Sequence, residues 1–152
     1  MSNIMLFLFV VAPLGILVHE CGHLLIAILM RVRECKIHLG VGPVLYSGSR
    51  VTVRLAFFMG GTTEYSVSED PSMRGKVALI SLGGPLSNLL CYWLIQQWIT
   101  SYHIESILPT YFLMFNLWLA VMNVIPVKLG QIRSDGWLFF HNLYAFLKKK
   151  ER

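Results

Sequence analysis

The chain has 152 residues, of which 55% are hydrophobic, 12% aromatic and only 14% charged, with a formal net charge of +5. A water-soluble domain carries about a quarter charged residues, so these figures and a mean hydropathy of +0.60 point to an integral membrane protein and exclude disordered, collagen-like and coiled-coil chains. Three cysteines, Cys21, Cys35 and Cys91, with no CxxC spacing, exclude a disulfide framework and a cysteine zinc knuckle.

Residues 4–30 form the first apolar run, longer than the roughly 20 residues that a bilayer core requires. Its only ionisable groups are His19, Glu20, Cys21 and His23. It is far longer than a secretory h-region and has no basic leader, so it is expected to stay in the mature protein as a spanning helix. Residues 35–65 change character: β-forming residues cluster between Gly, Pro and Ser, which predicts short strands and a small sheet. Residues 62–72 are polar and read as a loop. Residues 77–100 and 107–127 give second and third spans without a charged side chain. A last apolar stretch, 135–147 with its opening Asp135, is too short to cross and predicts a short C-terminal helix. The fold class expected is therefore an α-helical integral membrane protein. It has three core transmembrane helices, a small β-sheet between the first two, and one membrane-embedded domain over residues 1–152.

The basic residues fall in two places. Arg31, Arg33, Lys36, Arg50, Arg54, Arg74 and Lys76 lie between the first and second spans, and Lys128, Arg133, Lys148, Lys149, Lys150 and Arg152 follow the third. The positive-inside rule then puts the N-terminus outside and the C-terminus in the cytoplasm. The positive balance reads as topology and attraction to anionic lipid, not as nucleic-acid binding. A small chain without paired cysteines suits a bacterial inner membrane.

His19-Glu20-Cys21-Gly22-His23 is an HExxH sequence. Residues four apart on an α-helix differ by roughly 40° in direction, so both imidazoles face one side and can grip a zinc ion. Glu20 lies about 60° from His23, close enough to hold and deprotonate a water there, whereas Cys21 points about 160° away. At this composition roughly 0.006 matches arise by chance. Ionisable residues inside a span cost several kcal/mol unless paired, solvated or coordinated, and a metal gives these three a shared reason. Counted inward from Arg31, His23 and His19 lie roughly 12 and 18 Å deep.

Gly83-Gly84-Pro85-Leu86-Ser87-Asn88 opens the second span, and counting from Lys76 puts Gly84 and Asn88 at the same two depths. Small residues allow close helix approach; Asn88 is either a satisfied packing amide or a substrate contact. A catalytic zinc commonly takes a third protein ligand. Glu105 is on the wrong face, Glu151 is in the basic tail, and Glu34, Glu69 and Asp70 sit in polar loops. Asp135 and Glu64 remain, with His38 and His141 behind them. Asp135 has a competing role as a helix N-cap.

HExxH in the first span, GGPLSN in the second, and Asn123-Val124-Ile125-Pro126 in the third followed by Asp135-Gly136 resemble the site-2 protease family of intramembrane zinc metalloproteases. The likeness covers nearly the whole chain, in minimal three-span form and without a PDZ or CBS module. It implies one zinc held by His19, His23 and Asp135, Glu20 as general base and acid, and Asn88 and Asn123 near the substrate or oxyanion. The family usually separates Asn-x-x-Pro from Asp-Gly by about four residues, where this chain has residues 127–134 between them. The activity implied is hydrolysis of a peptide bond in or near the transmembrane segment of a membrane-protein substrate. The alternatives are a metal carrier or sensor, which would need a polar path that the spans lack, and a silent assembly partner, against which the intact Glu20 argues.

Overall fold

The computed structural model describes residues 3–32, 34–66 and 71–150. Arg33, Glu69, Asp70, Glu151 and Arg152, which enter the charge pattern or the set of discarded ligands above, lie outside the described residues. The described chain is mostly helical, with three helices long and apolar enough to cross a membrane and small antiparallel sheets.

The first helix, α1, runs Asn3–Leu29 and contains a single π turn at Phe7–Val11, closed by the Ala12 N–H on the Phe7 carbonyl. The wide turn ends one residue short of Pro13, whose ring and missing N–H disrupt the ordinary ladder. Two strands follow, β1 (Lys36–Ser47) and β2 (Val51–Glu64). They are 12 and 14 residues long, not short strands as predicted. The glycines and proline read as breaks are bends in one continuous ribbon. Gly40, Gly42 and Gly60 sit at φ of 81°, 92° and 145°, where L side chains are strained. The ribbon curls, so that Lys36–Leu39 pairs with Gly61–Glu64 while Val44–Ser47 lies against Thr52–Arg54. Part of the predicted 62–72 loop, Thr62–Glu64, is therefore strand.

The second long helix, α2, spans Pro71–Tyr102, starting six residues before the apolar core predicted for it. A proline at the first helical position has its φ already set and wastes no N–H. The third, α3, is Ile107–Val124 and stops short of the predicted residue 127, because Ile125 precedes Pro126 and is extended at ψ 125°. Next comes a small hairpin, β3 (Lys128–Leu129) and β4 (Ile132–Arg133), turned at Gly130 with φ 61°. The chain ends in α4, Asp135–Lys150.

Glycines set the helix crossings. A Cβ on Gly22 would collide with the Gly83 carbonyl, and one on Gly83 with the Gly22 carbonyl, so α1 and α2 touch backbone to backbone. Gly15 receives the Phe115 ring from α3, and Gly136 sits on the Val124 carbonyl, docking the start of α4 against the end of α3. Around these crossings Val11, Ala27, Ile80, Leu113 and Ala120 are buried. Outward faces keep large apolar side chains exposed, among them Leu14, Leu25, Leu90, Trp93, Trp98 and Trp118.

Candidate active site

His19 and His23 stand one turn apart on α1, and their Nε2 atoms approach to 3.2 Å. The Asp135 carboxylate, from the first turn of α4, completes the cluster: Oδ2 is 2.9 Å from His19 Nε2 and Oδ1 is 3.3 Å from His23 Nε2. One ligand atom from each residue lies within 4.8 Å of the others. The helical spacing of HExxH and the Gly22–Gly83 crossing put the imidazoles against α2. Gly84 is what leaves them room, since a Cβ there would run into both Nε2 atoms.

The outer nitrogens fix the inner ones. His19 Nδ1 donates to Asn88 Oδ1 at 2.5 Å, and His23 Nδ1 donates to the Ile80 carbonyl at 2.7 Å. The Gly84 N–H also approaches His23 Nδ1 at 3.2 Å, but a carbonyl can only accept, so Ile80 keeps the proton on the ring. Two neutral imidazoles so protonated turn both Nε2 lone pairs toward each other and toward a carboxylate. Such an arrangement repels itself unless a cation stands among the three, and two imidazoles with one carboxylate are a donor set suited to zinc. The residues present therefore fit a divalent metal.

Glu20 is 5% exposed and lines the same cavity. Its Oε2 accepts the Thr63 hydroxyl at 2.7 Å, and β2 can come this close because Gly61 has no side chain to meet the Glu20 stem. The cavity encloses about 240 Å³ and is also walled by Thr62, Tyr65, Ser81, Asn123 and Arg133. A second, more apolar cavity of about 420 Å³ shares His19, Glu20, Gly61 and Asn123 with it and runs between α1, β2 and α3 toward Phe7. Burial, and then the negative charge of Asp135, push the Tyr65 phenol up, so it stays a neutral donor on the cavity wall.

The remaining sequence candidates fall in different places. Asn123 lines both cavities and donates to the Leu119 carbonyl of its own helix at 2.9 Å. Asn88 is 0% exposed and its amide is fully engaged: Oδ1 by His19, and Nδ2 by the Gly15 carbonyl at 3.1 Å and Asn116 Oδ1 at 2.7 Å. Of the two roles open to Asn88, these bonds match the satisfied amide, and they place it behind His19. Glu64 pairs with His38 at 3.0 Å, away from the cluster, and His141 stacks on Trp137. The N-cap role weighed for Asp135 belongs to Ser134, whose hydroxyl accepts the Trp137 N–H at 3.2 Å. Ser134 Oγ also accepts the Val127 N–H and donates to the Ile125 carbonyl, closing the β3–β4 insert on itself and returning Asp135 to the histidines. Sequence reasoning missed Asn116, Thr63 and Ser134. The first was detectable, as an amide in a span without charges.

A His-His-Asp cluster with an adjacent carboxylate, set among apolar helices, defines a metallopeptidase type of centre. The chain matches Peptidase family M50 over residues 6–102, and it belongs to that family, the site-2 protease family of metalloproteases. The match takes in HExxH, the sheet and GGPLSN, and ends before Asn123 and Asp135. No curated protein matches the chain.

Proposed function

We propose that this protein is an intramembrane zinc metalloprotease that hydrolyses a peptide bond in or near the transmembrane segment of a membrane-protein substrate. The observation carrying this reading is the convergence of His19, His23 and Asp135 beside Glu20, supported by family membership and by three helices apolar enough to span. His19 and His23 would hold zinc through Nε2, and Asp135 through its carboxylate. Zinc bound there supplies Lewis acidity, which makes water nucleophilic near neutral pH and polarises a peptide carbonyl.

The protein's own groups do the rest. Glu20 takes the proton of the attacking water and passes it to the leaving amine, its carboxylate held in place by Thr63. Asn123, on the wall of both cavities, is the amide we assign to the substrate carbonyl; Asn88 orients His19. Peptide bonds in a helix are shielded, so the substrate unwinds, and the part of β2 around Phe58–Gly61, which lines the apolar cavity, receives it as an added strand. The basic segments face the cytoplasm and the N-terminus lies outside, in a bacterial inner membrane.

The test is metal analysis of the detergent-purified protein beside His19→Ala, Asp135→Ala and Glu20→Gln, with cleavage followed on a panel of single-span reporter proteins. One zinc per chain, lost in the first two variants and kept in the third while cleavage disappears, is the expected result. A Glu20→Gln protein that cleaves as well as the parent overturns the mechanism. A metal-free parent overturns the whole reading.

A further inference from the structure

Among the described residues, Asn116 and Asn88 are the two amides that are fully buried, and they connect three helices in one line. Asn116 Nδ2 donates to the Phe112 carbonyl on its own helix at 2.8 Å. Its Oδ1 is thereby turned to α2, where it accepts from Asn88 Nδ2 at 2.7 Å. The other N–H of that same Asn88 nitrogen goes to the Gly15 carbonyl on α1 at 3.1 Å. With both of its donors aimed at acceptors, Asn88 has only Oδ1 left for His19 Nδ1.

The orientation cannot be reversed without cost. A flipped Asn88 would set its oxygen against the Gly15 carbonyl and Asn116 Oδ1, and a compensating flip of Asn116 would set oxygen against the Phe112 carbonyl. Each leaves buried acceptors facing each other with no proton between them.

We infer that Asn116 is a positioning residue for the metal: by accepting from Asn88 it locks the amide that keeps the His19 proton on Nδ1 and the Nε2 lone pair toward His23 and Asp135. The inference rests on the zinc reading above and deepens it. Groups that orient metal-binding histidines typically govern about 10–100-fold in metal affinity. Asn116 acts one bond further out and shares the task with Gly15, so the low end applies.

The experiment uses the full chain in detergent or nanodiscs, with Asn116→Leu and Asn116→Asp. The leucine removes the acceptor; the aspartate, held neutral at this fully buried position, keeps the acceptor for Asn88 and gives its O–H to the Phe112 carbonyl. Zinc affinity is read by chelator competition, and the His19 tautomer by histidine nitrogen NMR of the metal-free protein at alkaline pH, where imidazoles are neutral. Expected are Nδ1–H in the parent, an affinity about tenfold weaker with mixed tautomers in Asn116→Leu, and near-parent behaviour in Asn116→Asp. A leucine variant that binds zinc as the parent does overturns the inference while leaving the function standing. So does an aspartate variant as damaged as the leucine one. Should the leucine variant fail to fold, the parent tautomer decides: a proton on Nε2 alone refutes the lock. A parent that binds no zinc condemns the functional reading instead.

Discussion

Gly84 carries no chemistry, yet the site depends on it as much as on the ligands it faces. Helix propensity alone favours alanine over glycine by about 1 kcal/mol, so Gly84→Ala leaves α2 helical. The added methyl group enters the space of both Nε2 atoms. The expected outcome is a folded protein that loses zinc by at least about tenfold, measured by metal stoichiometry beside a thermal melt. At this scale His19, Glu20 and His23 were legible because helical periodicity alone puts them on one side. Elimination of the other carboxylates left Asp135 beside Glu64, and the family resemblance chose between them. The direction in which Asn88 points was not legible, because an amide's role follows from which acceptors the fold puts around it. Here Gly15 and Asn116 decided it.

Among the elements, the insert between α3 and α4 does the most with the fewest residues. Two paired strands of two residues each turn at Gly130, Lys128 and Arg133 both lie over the Trp137 ring, and Ser134 ties Val127, Ile125 and Trp137 together. Removing the hydroxyl in Ser134→Ala should destabilise the start of α4 by about 1 kcal/mol, as loss of an N-cap does elsewhere. Since Asp135 is the next residue, zinc affinity should fall with it. Parallel zinc titrations and melts of parent and variant check both, and an unchanged affinity would separate the cap from the ligand. The three spans were legible from hydropathy, and their ends less so: Pro71 extends α2 and Pro126 shortens α3. The strands were misjudged in length because glycine marks a bend as readily as an end, and only pairing tells the two apart.

As a whole the molecule hides its polar groups and displays its apolar ones. His19, Glu20, His23, Asn88 and Asn116 are buried while Trp93, Trp98 and Trp118 are about half exposed. In a bilayer that inversion is favourable, and lipid in place of water covers the leucines and tryptophans. The membrane topology that we propose predicts that a reporter fused after Arg152 is active only in its cytoplasmic form, and one fused before Met1 only in its external form. Reciprocal fusions in cells measure this, and the opposite pattern would reverse the direction of solvent access to Glu20.

The cluster also spans the chain in a second sense: His19 and Asp135 are 116 positions apart. A cation shared between them would clasp the last helix to the first directly, closing a long loop whose ends otherwise meet through α2, against which both pack. Withdrawing that ion with a chelator should then loosen the α4 end of the clasp first. Amide hydrogen exchange at Trp137–Phe140 should quicken on chelation while the amides of α1 near His19 hold, and adding zinc back should restore the slow rate.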